Sequence, residues 1–256
     1  MGYIYWQNTK DVLAFTTDRN DGFSSSPFES FNQAYQVGDN QENVLKNRKK
    51  LCADHGIDFE HLITCYQQHT DQIRKVDSSM LKAGAFSFES GVGPCDALYT
   101  TEKGIALGVF HADCVPVFVY APKHHLVGII HAGAQGTFEK IVLKSIKTIL
   151  ENEQISPNDL YVHLGPSISF SHFIVPTDSE TLLREIGESF SYGVKETNGT
   201  TFVDLPLLNV IQAREAKIPA RNISVYEGCT YEEDNLFYSY RREKNTGRHL
   251  SVICLR

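Results

Sequence analysis

The feature of this sequence that most constrains its fold is a series of short strand-like segments that come in neighbouring pairs. Such runs, rich in β-branched and aromatic residues, lie at 12–16, 62–66, 72–76, 96–101, 105–109, 115–120, 126–130, 160–164, 223–226, 236–240 and 250–255. The segments 115–120 and 126–130 are separated by a short turn and predict a hairpin. Paired short strands with helices between them favour a layered α+β protein over a regular βαβ series.

Four segments have helical periodicity, at 40–55, 138–153, 177–190 and 204–211. Gly56 stands where the first helix should end. Thr137, Thr177 and Asp204 are the expected N-terminal caps of the other three, since short polar side chains accept hydrogen bonds from the first free amides of a helix. The helices are therefore predicted to flank the sheets.

Composition and charge exclude several classes of protein. The chain has 256 residues without a repeat or linker, which predicts one domain spanning 1–256. Its 31 acidic and 24 basic residues give a net charge of −7, which argues against nucleic acid as a partner. No signal peptide or membrane-spanning apolar run is visible, and six irregularly spaced cysteines are read as reduced thiols, so we expect a cytoplasmic protein without disulfides or membrane contact.

Polar residues with metal-binding chemistry follow or precede the predicted central strands. His69 follows the strand at 62–66, Cys114 precedes 115–120, and His131 follows 126–130. The predicted hairpin brings Cys114 close to His131. Sulfur and imidazole nitrogen suit zinc, and three protein ligands leave a position open for water. The alternative, a buried cysteine beside hydrogen-bonded loop histidines, has about equal weight from spacing alone.

Short phrases of the sequence occur in an order that is similar to a known family. They are Val37-Gly38-Asp39 with Asn47-Arg48, Gln67-Gln68-His69, Cys95-Asp96-Ala97-Leu98, Ala112-Asp113-Cys114-Val115-Pro116-Val117, His131-Ala132-Gly133, Gly165-Pro166-Ser167-Ile168, Cys229-Thr230, and Ser239-Tyr240-Arg241-Arg242 through Thr246-Gly247-Arg248. From about residue 17 onward the chain thus resembles the laccase-domain family, once called multicopper polyphenol oxidases. Its members are described as zinc-dependent purine nucleoside phosphorylases with adenosine deaminase and methylthioadenosine phosphorylase activity.

The resemblance implies a fold and a set of site residues. The fold would be a compact single α+β domain with layered mixed sheets and flanking helices, related to the cytotoxic-necrotizing-factor toxins. His69, Cys114 and His131 would hold zinc, with Cys114 part of the catalytic centre. Asp96 matches an acidic position of the family and would be an acid/base group or a group behind the ligands, with a salt-bridged structural aspartate as an alternative of similar weight. The implied partners are phosphate and a purine nucleoside: adenosine, inosine or methylthioadenosine.

The family phrases also suggest groups that contact the substrate. The arginines that match these phrases are candidates for phosphate binding, although each has a structural reading as well: Arg19, Arg48, Arg241, Arg242 and Arg248. Aromatic residues that can stack on a purine are Phe23, Phe28, Phe110 and Tyr240. Zinc is favoured over copper, because ten histidines without an H-x-H pair do not supply a multicopper centre.

Two departures from the family affect the expected activity. The family usually reads His-Ala-Gly-Trp-Arg-Gly, where this chain has Ala134 and Gln135 after His131-Ala132-Gly133. Near the place of a frequent Cys-Tyr-Glu, the chain has His172-Phe173-Ile174. Because arginine binds phosphate oxygens in pairs, its loss weakens the expectation of phosphorolysis more than that of metal binding.

Two other functions stay open at this stage. Cys114 can be the nucleophile and His131 the base of a cysteine-type amidase or hydrolase acting on cell-wall precursors. Alternatively, Cys95 or Asp96 can supply a fourth ligand that closes the zinc site, which would make the chain a catalytically impaired zinc-binding relative. Metal content and product analysis separate these hypotheses.

Overall fold

The computed structural model describes residues 2–256 and contains fourteen strands and five α-helices in that range. The strands are β1 (Tyr3–Asn8), β2 (Val12–Thr17), β3 (Leu62–Thr64), β4 (Ile73–Lys75), β5 (Ala97–Thr100), β6 (Ala106–His111), β7 (Val115–Ala121), β8 (Leu126–Ala132), β9 (Tyr161–Leu164), β10 (Ile174–Val175), β11 (Val194–Thr197), β12 (Thr200–Val203), β13 (Ile223–Val225) and β14 (His249–Leu255). The helices are α1 (Gln41–His55), α2 (Ala134–Phe138), α3 (Ile141–Asn152), α4 (Ser179–Ile186) and α5 (Leu205–Glu215). None of the helices in residues 2–256 has the length and apolar character needed to cross a bilayer.

The strands form two large mixed sheets and one small antiparallel sheet. The five-stranded sheet has the order β1-β2-β14-β6-β3, and its β3–β6 pair is parallel. The six-stranded sheet has the order β13-β9-β7-β8-β5-β4, with parallel pairs at its two edges. The small sheet is β10-β12-β11. The prediction of an α+β fold with layered mixed sheets and flanking helices is confirmed.

The two large sheets stack face to face between helical layers. Along β2, Val12 and Ala14 join an apolar cluster that includes Phe118 of the six-stranded sheet, whereas Leu13 and Phe15 join the cluster beneath α1. This alternation follows from the two-residue period of a strand. The other face of the six-stranded sheet packs on α3 and α5. Each large apolar side chain buried in these layers contributes roughly 1.5–3 kcal/mol.

The predicted hairpin is confirmed and sets the position of the functional site. β7 and β8 pair antiparallel along their whole length, with Val115 opposite Ala132 and Pro116 opposite His131. A short 3-10 turn at Pro122–His124 connects them. Cys114, which directly precedes β7, therefore lies beside the end of β8.

The predicted helix at 138–153 has the wrong boundaries, because the helix is interrupted at Lys140. Lys140 has a left-handed backbone (φ 65°) that separates α2 from α3. Gln212 of α5 fills the break, since its amide nitrogen donates to the Thr137 carbonyl (2.8 Å) and its oxygen accepts from the Val142 amide (3.1 Å). Thr137 is thus a buried residue within α2 and not an N-terminal cap.

The other predicted caps have mixed outcomes. Gly56 ends α1 in the left-handed conformation, and Asp204 accepts a hydrogen bond from the Leu207 amide at the start of α5, both as predicted. The prediction for Thr177 is wrong, because Asp178 caps α4 by accepting from the Thr181 amide (2.9 Å). Helix α4 ends at Ile186, short of the predicted 190, and α5 extends to residue 215, past the predicted 211.

The predicted strand at 236–240 is also wrong, since this segment forms turns and irregular backbone. Its apolar character arises from burial of Phe237 and Tyr238. The Tyr238 amide donates to His249 Nε2 (2.8 Å), and its hydroxyl donates to the Phe28 carbonyl (2.8 Å). The Tyr238 amide, which would bond to a neighbouring strand in a sheet, thus has a histidine side chain as its acceptor.

Candidate metal centre

His69, Cys114 and His131 come together at the ends of the large sheets. His69 lies in the loop between β3 and β4, Cys114 lies in the turn between β6 and β7, and His131 lies near the end of β8. One ligand atom of each side chain lies within 4.8 Å of those of the other two. The structure therefore brings together the three residues that the sequence selected.

Two residues of this site have a backbone conformation that residues other than glycine rarely adopt. His69 has φ 56° and Asp113 has φ 92°. Such positions cost energy and persist where surrounding contacts enforce them. Asp113 is held by two hydrogen bonds, from the Thr230 hydroxyl to Oδ1 (2.7 Å) and from the Arg241 amide to Oδ2 (2.6 Å). The turn that presents Cys114 is thereby fixed.

Asp96 lies behind the cluster and has no solvent exposure (0%). His131 Nδ1 donates to its Oδ1 at 2.8 Å. Its Oδ2 accepts from the Gln68 amide (3.2 Å), the Thr70 amide (2.7 Å) and the Thr70 hydroxyl (3.0 Å). The carboxylate thus orients one histidine directly and fixes the loop that carries His69. It leaves Nε2 of His131 free to face the cluster.

The electrostatics of the cluster favour a cation. Burial favours neutral His131, but the Cys114 sulfur and the Asp96 carboxylate outweigh it and raise the pKa of His131 to about 10. Burial alone would raise the pKa of Asp96, yet the hydrogen bond and charge of His131 hold it below its usual value. Burial and the neighbouring His131 lower the pKa of His69. Because a metal ligand histidine is neutral, a bound metal would replace the proton of His131.

Gly133 leaves the space between the ligands open. A Cβ atom on this residue would lie 2.9 Å from His69 Nδ1 and 3.0 Å from Cys114 Sγ. One thiol sulfur and two imidazole nitrogens around such a space fit a transition metal, and both zinc and copper accept this donor set. A metal held by these three residues would have a coordination position left for water or substrate.

A cavity of about 550 Å³ opens onto the cluster. Its lining combines the three candidate ligands with aromatic rings and two cations: Phe88, Phe110, Tyr240, Lys244 and Arg248. Lys244 Nζ lies 4.6 Å and Arg248 Cζ 5.4 Å from the centre of the Tyr240 ring. The volume is in the range of small-molecule sites. Of the four aromatic residues suggested for stacking, Phe110 and Tyr240 line this cavity, whereas Phe23 and Phe28 are not part of its lining.

The suggestion that Arg48 contacts the substrate requires correction. Its side chain is fully buried (0% exposed) between the rings of Tyr35 and Phe110. The guanidinium donates to the carbonyls of Gln33 (2.7 Å) and Ala85 (3.2 Å), as well as to that of Gly84. Arg48 is therefore a structural residue that joins loops in the interior.

Arg19 and Arg242 also hold loops together outside the cavity. Arg19 donates to the carbonyls of Asp234 (3.0 Å) and Glu29 (3.3 Å). The guanidinium of Arg242 donates to three backbone carbonyls of the segment that leads to it, those of Thr230, Tyr231 and Phe237. Neither arginine is part of the cavity lining.

Arg241 and Arg248 are the two arginines of the set that reach the site. Arg241 lines a smaller neighbouring cavity of about 210 Å³ together with Ala134, Gln135 and Phe173. It donates to the carbonyls of His172 and Ile174, both at 3.0 Å. Arg248 lines the main cavity while its Nη1 donates to the carbonyls of its own loop. The two cations thus lie on different sides of the cluster.

Sequence reasoning missed three contributors to the site. Gly133 provides space, Asp113 fixes the turn before Cys114, and Lys244 adds a charge to the cavity. Gly133 and Asp113 adjoin the proposed ligands in the sequence, and that proximity was the available signal. Lys244 has no comparable signal, because its side chain reaches the cavity only through the fold of the loop between Ser239 and Arg248.

Stacked mixed sheets with an open His–Cys–His group at their strand ends define a class of protein that can hold a transition metal beside a small-molecule cavity. The model of the family described as multi-copper polyphenol oxidoreductase laccase matches residues 13–256, and the chain belongs to this family.

Relatives and solved structures cover almost the entire chain. The chain is 34% identical over 249 residues to the purine nucleoside phosphorylase YlmD of Bacillus subtilis, and this alignment covers 96% of the chain and 90% of the relative. It is 36% identical over 245 residues to the purine nucleoside phosphorylase YlmD of Geobacillus stearothermophilus, covering 94% and 89%. The crystal structure of the hypothetical protein YfiH of Bacillus licheniformis superimposes with a TM-score of 0.92 at 30% identity, covering 98% of this chain and 99% of the other.

Proposed function

We propose that this protein is a zinc-dependent purine nucleoside phosphorylase that acts on adenosine, inosine and methylthioadenosine and also deaminates adenosine. The observation that carries the proposal is one cavity lined by the His–Cys–His group, by aromatic rings and by two cations. A purine nucleoside and phosphate need these three kinds of group. The names of the two YlmD relatives support the same reaction.

In this proposal His69, Cys114 and His131 hold the zinc ion. Zinc bound there would supply Lewis acidity, which lowers the pKa of a water molecule and polarises a substrate oxygen. Asp96 acts as a positioning residue, because the hydrogen bonds of its carboxylate go to His131 and to the loop of residues 68–70. Cys114 is a ligand and not a nucleophile.

The aromatic and basic groups of the cavity bind different parts of the substrates. Tyr240 is half exposed and lines both cavities, so its ring is available to stack on a purine. Lys244 and Arg248 both line the main cavity near the Tyr240 ring and provide positive charge for phosphate. Arg241 can serve the smaller cavity, where the family arginine next to His131 is replaced by Gln135.

The test is phosphate-dependent release of the purine base. Purified zinc-loaded protein is incubated with each of the three nucleosides, with and without phosphate. Free base, ammonia and the sugar phosphate are measured, the last being ribose 1-phosphate from adenosine and inosine and methylthioribose 1-phosphate from methylthioadenosine. We expect Lys244→Met and Arg248→Met to raise the KM for phosphate roughly tenfold or more without loss of zinc, since each removes a charge-assisted contact. Lys195→Met, at an exposed position on β11, is the matched control. Absence of any phosphate-dependent base release by the wild-type protein would refute the proposal.

Restoring the family residues tests the assignment of the smaller cavity. Ala134 and Gln135 both line this cavity. The Gln135 side chain donates a hydrogen bond to Glu139 (3.0 Å) and has no positive charge with which to bind an anion. The double variant Ala134→Trp with Gln135→Arg should increase phosphorolysis selectively, because deamination uses no phosphate. An equal rise in both activities, or no change, would show that the family arginine is structural.

A second candidate function is favoured by one observation. Asp96, His131 and Cys114 also have the order of orienting acid, base and nucleophile, with 2.8 Å between Asp96 Oδ1 and His131 Nδ1. A cysteine-type amidase or hydrolase would use this arrangement without zinc. Hydrolysis of amides by the metal-free protein, inhibited by zinc, would favour it over the phosphorylase.

We also place the protein in a reducing compartment such as the cytoplasm. The six cysteines are free thiols in the structure, and five of them are buried. Cys114, partly exposed in the cavity, is the thiol that oxidation would reach first. A count of six reactive thiols in the denatured, unreduced protein is the expected result.

A further inference from the structure

We propose that the chain holds a second zinc ion, bound by His172, Cys229 and Glu232. These residues lie outside the His69–Cys114–His131 cluster, on the loop after β9 and on the loop after β13. The proposal is independent of the reaction assigned above. It concerns a site whose role is to join two loops.

The donor atoms lie close enough together for one ion to bind all three after small side-chain movements. One ligand atom from each of the three residues lies within 4.8 Å of the others. His172 Nδ1 and Glu232 Oε1 are 3.3 Å apart. Two ligands bound at about 2.0–2.1 Å with a tetrahedral angle are separated by roughly 3.3 Å, so this pair needs little movement to coordinate zinc.

Backbone contacts already hold the two loops in place. Ser167 and Cys229 form a parallel β-bridge, and the Thr230 amide donates to the Ser167 carbonyl (3.0 Å). The Ser169 amide donates to Cys229 Sγ (3.3 Å). An amide directed at a sulfur stabilises it as a thiolate ligand, as outer hydrogen bonds do in metal sites. The site is therefore largely formed before an ion binds.

The ring of His172 is fixed with one nitrogen toward the site. It stacks on Tyr231 with 4.3 Å between ring centres and 28° between planes. Its Nδ1 faces Glu232 and also lies 3.5 Å from the Ser169 hydroxyl. The fourth coordination position is thus available to that hydroxyl or to water.

The charges and the donor types favour zinc. A thiolate and a carboxylate together neutralise a divalent cation, while imidazole adds no charge. Calcium and magnesium prefer oxygen ligands alone, which excludes them at a site with sulfur and nitrogen. Cys229 is buried, whereas Glu232 is exposed, so an ion has a path from solvent.

An ion bound here would stabilise loops that contact the surroundings of the His69–Cys114–His131 cluster. Thr230 follows Cys229 and donates to Asp113, which fixes the turn before Cys114. The carbonyl of His172 accepts from Arg241, which lines the smaller cavity. Zinc at the second site should therefore increase the hydrogen-exchange protection of residues 169–175 and 229–242.

Metal stoichiometry of variants provides the test. The full chain is loaded with zinc, passed through a desalting column and analysed for bound metal. We expect about two ions per chain in the wild-type protein and about one in Cys229→Ser, His172→Ala and Glu232→Ala. His172→Ala and Glu232→Ala alter half-buried or exposed side chains, so they keep the test valid if Cys229→Ser does not fold. Glu227→Ala, at an exposed glutamate of the same loop, is the matched control and should keep about two ions.

Cobalt gives an independent readout of the sulfur ligand. Cys114→Ser removes the thiolate of the first centre, so a remaining thiolate-to-cobalt absorption band must come from another cysteine. We expect this band in Cys114→Ser and its loss in Cys114→Ser with Cys229→Ser. A Cys114→Ser protein that shows no thiolate-to-cobalt band, or a Glu232→Ala and a His172→Ala variant that both bind as many ions as the wild-type protein, would overturn the proposal.

Discussion

Four hydrogen bonds end on the carboxylate of Asp96, and all of them come from His131 or from the loop of residues 68–70, which carries His69 of the candidate metal centre. Asp96→Asn replaces one acceptor oxygen with a donor and removes the charge that orients His131. We expect zinc affinity to fall roughly 10–100-fold, as for other partners that orient metal ligands. Competition with a chelator of known affinity measures this.

Asp71→Asn is the matched control for that change. Asp71 lies in the loop that carries His69, but its side chain is partly exposed (26%) and pairs with Lys144 and Gln72. Its substitution should leave zinc affinity unchanged. An Asp96→Asn protein that binds zinc as tightly as the wild-type protein would show that His131 needs no orienting group.

The buried Arg48 gives a second prediction at this scale. Arg48→Met keeps most of the side-chain volume but leaves the carbonyls of Gln33, Gly84 and Ala85 without their donor. We expect the free energy of unfolding to fall by about 3 kcal/mol, with zinc content and the KM for phosphate unchanged. Urea denaturation measures the loss, and exposed Lys49→Met serves as the comparison. A raised KM for phosphate with an unchanged free energy of unfolding would show that Arg48 contributes to substrate binding.

The convergence of His69, Cys114 and His131 was predictable because these residues lie at strand ends and within short motifs. The arginines were not, since sequence alone gives no indication of which carbonyls surround a guanidinium. Arg48 and Arg248 both belong to matching phrases, yet one is enclosed by loop carbonyls and the other lines the cavity. Contacts made by the folded loops decide between these roles.

Among the elements, α4 offers a direct test of helix capping. Asp178 accepts a hydrogen bond from the Thr181 amide, and this bond holds the pKa of the Asp178 carboxyl below its ordinary value. Asp178→Ala should reduce the free energy of unfolding by about 1 kcal/mol, the usual contribution of an N-terminal cap. Thr177→Ala, one residue earlier, should cost little. Equal losses in urea denaturation would mean that neither residue is the dominant cap.

The strands and helices were largely predictable from local periodicity, and the exceptions have tertiary causes. The break at Lys140 is invisible locally, because lysine is a good helix former. It becomes stable since Gln212 of α5 bonds the Thr137 carbonyl on one side and the Val142 amide on the other. The segment at 236–240 was misread because burial of its aromatic residues resembles the pattern of a strand.

Across the whole molecule, buried histidines predict how stability depends on pH. Burial lowers the pKa of His163 to about 4 and that of His249 to about 3, and it also lowers that of His111. The unfolded chain takes up these protons near pH 6.5, so the stabilisation is complete above that pH and is lost as the pH falls towards the folded-state values. Between pH 6.5 and 5 His163 and His249 should each cost roughly 2 kcal/mol of the free energy of unfolding. Urea denaturation across this range measures the slope.

His163→Phe isolates one of these contributions. His163 stacks on Trp6 with 5.2 Å between ring centres, and its Nδ1 lies 2.9 Å from the Ser224 hydroxyl. Phenylalanine keeps the stacking but cannot be protonated, so the variant should lose less stability on acidification than the wild-type protein does. An identical pH slope in both proteins would place the acid sensitivity elsewhere.

The layered architecture was predictable, but the arrangement of strands within the sheets was not. Local sequence patterns identify strands without indicating which distant segments pair. In the five-stranded sheet β14 lies between β2 and β6, with Val252 opposite Phe15 on one side and Gly108 on the other. Such pairings join residues that are far apart in the chain, and no periodicity reports them.

The central position of β14 has a consequence for biosynthesis. While the ribosome is still translating residue 248, the chain has β2 and β6 but lacks the strand that joins them. Both inner edges are then unpaired, and unpaired edges attract other nascent chains. A stop codon placed just before this strand should therefore yield aggregates in the cell, whereas release of the longer chain allows the sheet to close in one late step.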